Sequence, residues 1–112
     1  MKGAFRVTKK ERIQLPQDFR GVMKFGRRVP SENFVLFFRA NKNTYHRLGI
    51  LIKKEVGTAA FRNRIKRHVR EFFRLNKHQL KGSFDIVFLV KKGYLNKRYQ
   101  EVEQELRGFF VR

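Results

Sequence analysis

The side chains of this 112-residue chain that could do acid–base or metal chemistry form no working pattern. Its nine carboxylates (Glu11, Asp18, Glu32, Glu55, Glu71, Asp85, Glu101, Glu103, Glu105) are scattered, and no pair has the placement of a two-metal nuclease site. His46, His68 and His78 fall on different predicted elements, without a metal-ligand spacing such as HExxH. Ser31 and Ser83 lack the context of a nucleophile elbow, and there is no Gly-rich phosphate loop. The absence of cysteine removes disulfide, thiolate–zinc and thiol-nucleophile chemistry, and it fits a reducing compartment. No catalytic residue and no metal site is expected on the protein. On its own residues the chain reads as a binder.

What the sequence does concentrate is chemistry for phosphate. Twenty-eight Lys and Arg face nine Asp and Glu, a net charge of +19. A folded domain so basic repels itself unless an anionic partner offsets the charge, and nucleic acid is the default partner because each neutralised phosphate releases condensed counterions. Arginine adds geometry, since its planar fork grips phosphate in two places. Residues 62–77 hold Arg62, Arg64, Lys66, Arg67, Arg70, Arg74 and Lys77 against Glu71 alone. An ordinary solvated helix mixes signs for i,i+4 pairing, so this excess predicts a phosphate-binding face. Lys53 and Lys54 precede it, beside a helix N-terminus whose free N–H groups favour anions.

That face needs a helix to hold it. Phe61, Ile65, Val69, Phe72 and Phe73 share one side at ~100° per residue. Asn63, Arg67, Arg70 and Arg74 lie opposite, Arg62 and Lys66 on one shoulder and Arg64 on the other. Thr58 is the predicted N-cap. Before this helix, residues 1–14 read as a basic arm carrying Lys2, Arg6, Lys9, Lys10 and Arg12. Residues 16–25 read as a short helix with Pro16 in its first turn, a Phe19–Val22–Met23 stripe and Gly26 as a left-handed stop. Residues 27–31 read as punctuation.

Residues 33–39 predict a strand covered on both faces, and 47–53 a second strand joined to it as an antiparallel hairpin. Gly49 marks a bulge or a close backbone approach. Residues 84–90 predict a third, strongly apolar strand, reached by a parallel βαβ crossover. A closing helix from about residue 95 to 111 has the stripe Tyr99, Val102, Leu106, Phe109 and Phe110, with Glu101, Glu103 and Glu105 on its outer face. The fold class is α+β, a single small domain over 1–112 with the order α-β-β-α-β-α and the helices packed on the sheet.

The run from Gly57 to Glu71 (GTAAFRNRIKRHVRE) resembles the RNR signature of the bacterial ribonuclease P protein component. Asp18-Phe19 with Val22 and Gly26 is similar to that family's first helix. Phe34–Phe37, Arg47–Ile50 with Lys53-Lys54, and Phe84–Val87 resemble its strands. The resemblance implies an accessory subunit of an RNA endonuclease, in which the RNA subunit is the catalyst and uses magnesium. The implied partners are ribonuclease P RNA and precursor tRNA, with no obligate protein partner. By position, Lys53, Lys54, Arg62, Asn63, Arg64, Lys66, Arg67, Arg70 and Arg74 would contact RNA, while Phe19, Met23 and Phe37 would line a cleft for the single-stranded 5′ leader. Met23 departs from the Phe common there, which weakens stacking but keeps an apolar wall. The resemblance also implies an unusual left-handed βαβ crossover, as in the second domain of a small-subunit ribosomal protein.

The alternative from residues alone is a structural RNA-binding protein of ribosomal type. A membrane-surface protein is disfavoured, because the basic helix commits its apolar side to a core. No apolar run reaches the ~20 residues of a membrane span, and the start lacks the apolar stretch of a signal peptide, so a cytoplasmic protein is expected.

Overall fold

The computed structural model describes residues 7–96 and 98–110. Its centre is a four-stranded mixed sheet in the order β1-β2-β4-β3, made of β1 (Arg27–Pro30), β2 (Phe34–Ala40), β3 (Arg47–Leu51) and β4 (Phe84–Val90). Three helices pack on it: α1 (Pro16–Phe25), α2 (Ala59–Asn76) and α3 (Tyr99–Phe110). Alternation along β2 and β4 divides their apolar residues between two faces. Phe34, Leu36, Ile86 and Phe88 meet the stripes of α2 and α3, where Ile65, Val69, Phe73, Val102 and Leu106 are buried. Val35, Phe37 and Val87 turn to the other face and meet Val22 of α1 and Ile13. The strands are therefore covered on both sides, as their unbroken apolar runs require.

The strand pairing differs from the sequence expectation in two ways. β2 and β3 do not form a hairpin. β4 lies between them, antiparallel to β2 and parallel to β3. The β2–β3 connection is held to the start of β4 by side chains that replace a hairpin ladder. Asn41 donates to Asp85 at 2.8 Å, its N–H donates to the Ser83 carbonyl at 2.9 Å, and the His46 ring accepts the Phe84 N–H at 3.0 Å. The second difference is β1, expected to be irregular. It pairs antiparallel with β2, from Arg27 opposite Phe38 to Pro30 opposite Val35. A proline is tolerated at the end of an edge strand, and the exposed Arg27 and Arg28 blunt that edge. The parallel β3–α2–β4 crossover is present as expected.

Three local expectations are also corrected. Residues 7–13 are not a loose arm, although Lys2 and Arg6 lie outside the described residues. Lys9–Glu11 form a 3-10 turn, Arg12 makes a parallel bridge to Leu48, and the Ile13 N–H donates to the Leu48 carbonyl at 2.8 Å. Gly26 ends α1 with φ −83°, outside the left-handed region. Glycine is needed there for space instead, since a Cβ would lie 2.6 Å from the Phe38 carbonyl oxygen. Finally, Glu105 does not belong to an outward acidic face. Its carboxylate accepts from the Ser31 hydroxyl, from the Asn33 N–H at 2.7 Å and from the Asn33 and Asn96 amides, tying α3 to the β1–β2 turn.

Candidate nucleic-acid interface

α2 is fixed at its N-terminus and along one side, which leaves its cationic face defined. The Thr58 hydroxyl accepts the Phe61 N–H at 3.1 Å, as the N-cap expectation required. Gly57 leaves room for the Phe61 ring, which would lie 2.6 Å from an added Cβ. Ile65, Val69, Phe72 and Phe73 are buried, and the His68 ring packs edge-on against Tyr99 of α3 at 5.8 Å. Burial, then the charges of Arg64 and Arg67, lowers the His68 pKa, which fits a ring in the helix–helix seam.

The opposite side is exposed at Asn63, Arg64, Arg67 and Arg70, with Arg62 and Lys66 half-buried on its shoulder. Lys53 and Lys54 are exposed just beyond β3, where Lys54–Val56 form a 3-10 turn into α2. Two cations of this stretch are paired. Arg74 makes a two-pronged bond to Glu71, at 2.9 and 2.6 Å. Lys77 reaches Glu11 at 2.7 Å. Among the described residues, Arg62, Arg64, Lys66, Arg67 and Arg70 have no carboxylate within ion-pair distance. Five of the helix's cations thus stand without an internal counter-charge among the described residues, whereas Arg74 is engaged within the helix.

The predicted cleft residues come together on the α1 face of the sheet. Phe19, Met23 and Phe37 share one apolar cluster with Val35, Val87, Leu51 and Leu89. Phe37 and Phe38 point to opposite faces, as strand geometry demands. Phe37 is only 7% exposed and forms the floor, whereas Phe19 and Met23 are half-buried at the rim. Gly49 is a point of close approach, because the Phe19 ring occupies the space a β-carbon would need. A salt-bridge network anchors the first turn of α1. Arg47 bonds both oxygens of Asp85, at 2.8 and 2.7 Å, and lies 3.6 Å from Asp18.

A concavity of about 860 Å3, which shares Ile13 and Phe19 with that apolar cluster, opens on the outer edge of β3. It brings Lys9 and Arg12 of the N-terminal segment against Lys66 and Arg70 of α2. Sequence reasoning assigned Lys9 and Arg12 to an arm. The signal for their placement is the Arg12–Leu48 bridge, which pairs residues too far apart for any periodicity to show. Among the described residues no three His, Asp or Glu converge on a point where they could hold a metal ion, and no helix is long and apolar enough to cross a membrane.

The chain is similar to known proteins over most of its length. A family model for ribonuclease P matches residues 7–112. The chain is 42% identical over 96 residues to the ribonuclease P protein component of Thermotoga maritima, covering 86% of this chain and 81% of that one. It is 40% identical over 107 residues to that of Desulfosudis oleivorans, covering 96% and 88%. Among solved structures, the Thermotoga maritima RNase P protein in complex with 1-(4-fluorophenyl)-2-thiourea superposes with a TM-score of 0.82 at 36% identity, covering 89% of this chain and 97% of that one.

Proposed function

This chain belongs to the ribonuclease P protein family, and from that premise we propose that α2 docks on the catalytic RNA while the cleft of Phe19, Met23 and Phe37 receives the single-stranded 5′ leader of precursor tRNA. The protein is then an accessory subunit, and its residues bind and orient rather than react. Arg62, Arg64, Lys66, Arg67 and Arg70 offset RNA phosphates where two polyanions approach each other. Lys53 and Lys54, just past Leu51 of the cleft cluster, neutralise the leader backbone as it leaves the apolar wall. Magnesium supplies the charge stabilisation for phosphodiester hydrolysis on the RNA. The described residues do not fit a protein-borne site for it, so no step here runs through a protein-bound ion.

The observation that carries this reading is the face of five cations without carboxylate partners among the described residues, backed by a helix whose other side buries Ile65, Val69, Phe72 and Phe73. The test is to purify the tagged full-length chain from cells and sequence the RNA bound to it. Ribonuclease P RNA should dominate, with precursor tRNAs carrying intact leaders enriched over mature ones. Recovery of ribosomal RNA as the main species would contradict the assignment.

A further inference from the structure

The concavity on the outer edge of β3 has a composition that neither the α2 face nor the leader cleft explains. Its cationic wall is Lys9, Arg12, Lys66 and Arg70, and none of its lining residues is acidic. The nearby carboxylates are engaged elsewhere: Glu11 holds Lys77 and Thr8, and Glu71 holds Arg74. Arg12 and Arg70 therefore face each other uncompensated. Partial burial and then the neighbouring Arg12 charge disfavour the protonated form of Arg70. Two guanidinium groups held together without a counter-charge cost free energy unless an anion enters between them.

The other wall is apolar and includes Ile13, Phe19, Leu48 and Ile50. The β3 edge adds backbone groups. The Leu48 carbonyl points outward and accepts from Ile13. Two residues on, the Ile50 N–H and carbonyl point the same way, and no backbone partner meets them among the described residues. A volume of about 860 Å3 lies in the range of sites for small organic ligands, ~300–1,000 Å3. Cations on one wall, an apolar wall opposite and free backbone donors and acceptors at the end match the three parts of a nucleotide: phosphate, base face and base edge.

We propose that this groove takes one unstacked nucleotide of the RNA bound along α2, its phosphate between Arg12 and Arg70 and its base against Ile50 and Leu48. The proposal rests on the RNA-docking reading of α2 and adds a discrete pocket to it. It also gives residues 7–14 a function, because their bridge to Leu48 builds one wall. Ile13 and Phe19 line this groove and also belong to the apolar cluster of the leader cleft, so the groove adjoins that cleft, and the identity of the crosslinked strand distinguishes the two sites.

The test uses the full-length protein with a photoreactive p-benzoylphenylalanine at position 14, an exposed residue on the groove rim, and a second preparation with the probe at position 63 on the open face of α2. With ribonuclease P RNA and precursor tRNA present, the position-14 probe should crosslink one or two adjacent nucleotides of ribonuclease P RNA. Arg12→Gln, which alters an exposed side chain, should lose those crosslinks and weaken RNA binding roughly three- to tenfold, with an unchanged unfolding midpoint. Crosslinks from position 14 only to the leader, only to the protein's own residues 1–6, or to nothing would overturn the groove if position 63 still marks ribonuclease P RNA. Silence at both positions would contradict the docking of α2 as well.

Discussion

At Gly49 an added methyl group would run into the Phe19 ring. Gly49→Ala should therefore destabilise the fold by about 1–3 kcal/mol, the usual cost of overpacking, and should displace the ring where the cleft cluster meets the groove. Gly108→Ala is the matched control, because nothing stands near a Cβ there and the residue lies within α3. It should be neutral or stabilising by up to ~1 kcal/mol. Urea denaturation of the two variants checks both signs. The cleft aromatics separate in the same way. Phe37→Ala removes a buried floor residue and should cost ~3–5 kcal/mol of stability, so it cannot report on leader binding. Phe19→Ala, at the rim, should lower affinity for leader-bearing precursor by ~1–3 kcal/mol, the scale of one base–aromatic stack, and binding to ribonuclease P RNA by clearly less, because the groove's base wall is chiefly Ile50 and Leu48. Equal losses in both would identify a folding defect. His46 supplies a pH signature. Burial first of all lowers its pKa below the ordinary 6.5, outweighing the Leu80 carbonyl and Glu11, which oppose it. The neutral ring accepts the Phe84 N–H, so the unfolded chain takes up the proton first. Its contribution is complete above pH 6.5 and is lost as the pH falls below that value. His68 shifts in the same direction. The urea midpoint should therefore fall between about pH 7 and pH 5.5, and less steeply in His46→Gln. Glu11, Asp85 and Glu105, whose pKa values are lowered, lose their contributions at lower pH.

α2 was the most legible element, because one period fixed its buried stripe, its cap and its exposed face together. Even so, charge counting overstated it, since Arg74 and Lys77 each meet a carboxylate. Arg74 meets one three residues away, a spacing visible in the chain. Lys77 meets Glu11, sixty-six residues away, which no local pattern shows. Strand existence was legible at β2, β3 and β4, but strand order was not, because a short connection suggests a hairpin, whereas Asn41, His46 and Arg47 bond across to the start of β4, which lies between the two strands. β1 was missed because Pro30 and two arginines read as a turn, although the same residues suit an edge. The pairings predict different responses. Arg67→Ala should weaken RNA binding by ~1 kcal/mol and reduce the salt slope by about one. Arg74→Ala should change both much less. α3 offers a test without RNA. Glu105 holds the 31–33 turn through charge-assisted bonds, so Glu105→Ala should cost ~2–3 kcal/mol and loosen α3, with the α2 cations left in place.

At the scale of the whole molecule, the net charge of +19 and the two-faced sheet have one explanation. The sheet separates the basic helix α2 on one face from the apolar cluster of Phe19, Met23 and Phe37 on the other, and exposed cations flank both. Such a particle can sit between two polyanions and lower the demand for free cations to hold them together. The most direct measurement of that claim is reconstitution with a bacterial ribonuclease P RNA at low magnesium, comparing cleavage and affinity for precursor tRNA with and without its leader. The protein should restore cleavage that the RNA alone no longer supports, and should raise affinity for leader-bearing precursor over mature tRNA. If cleavage at low magnesium is no faster with the protein than without it, and mature tRNA binds as tightly as the precursor, the account is contradicted.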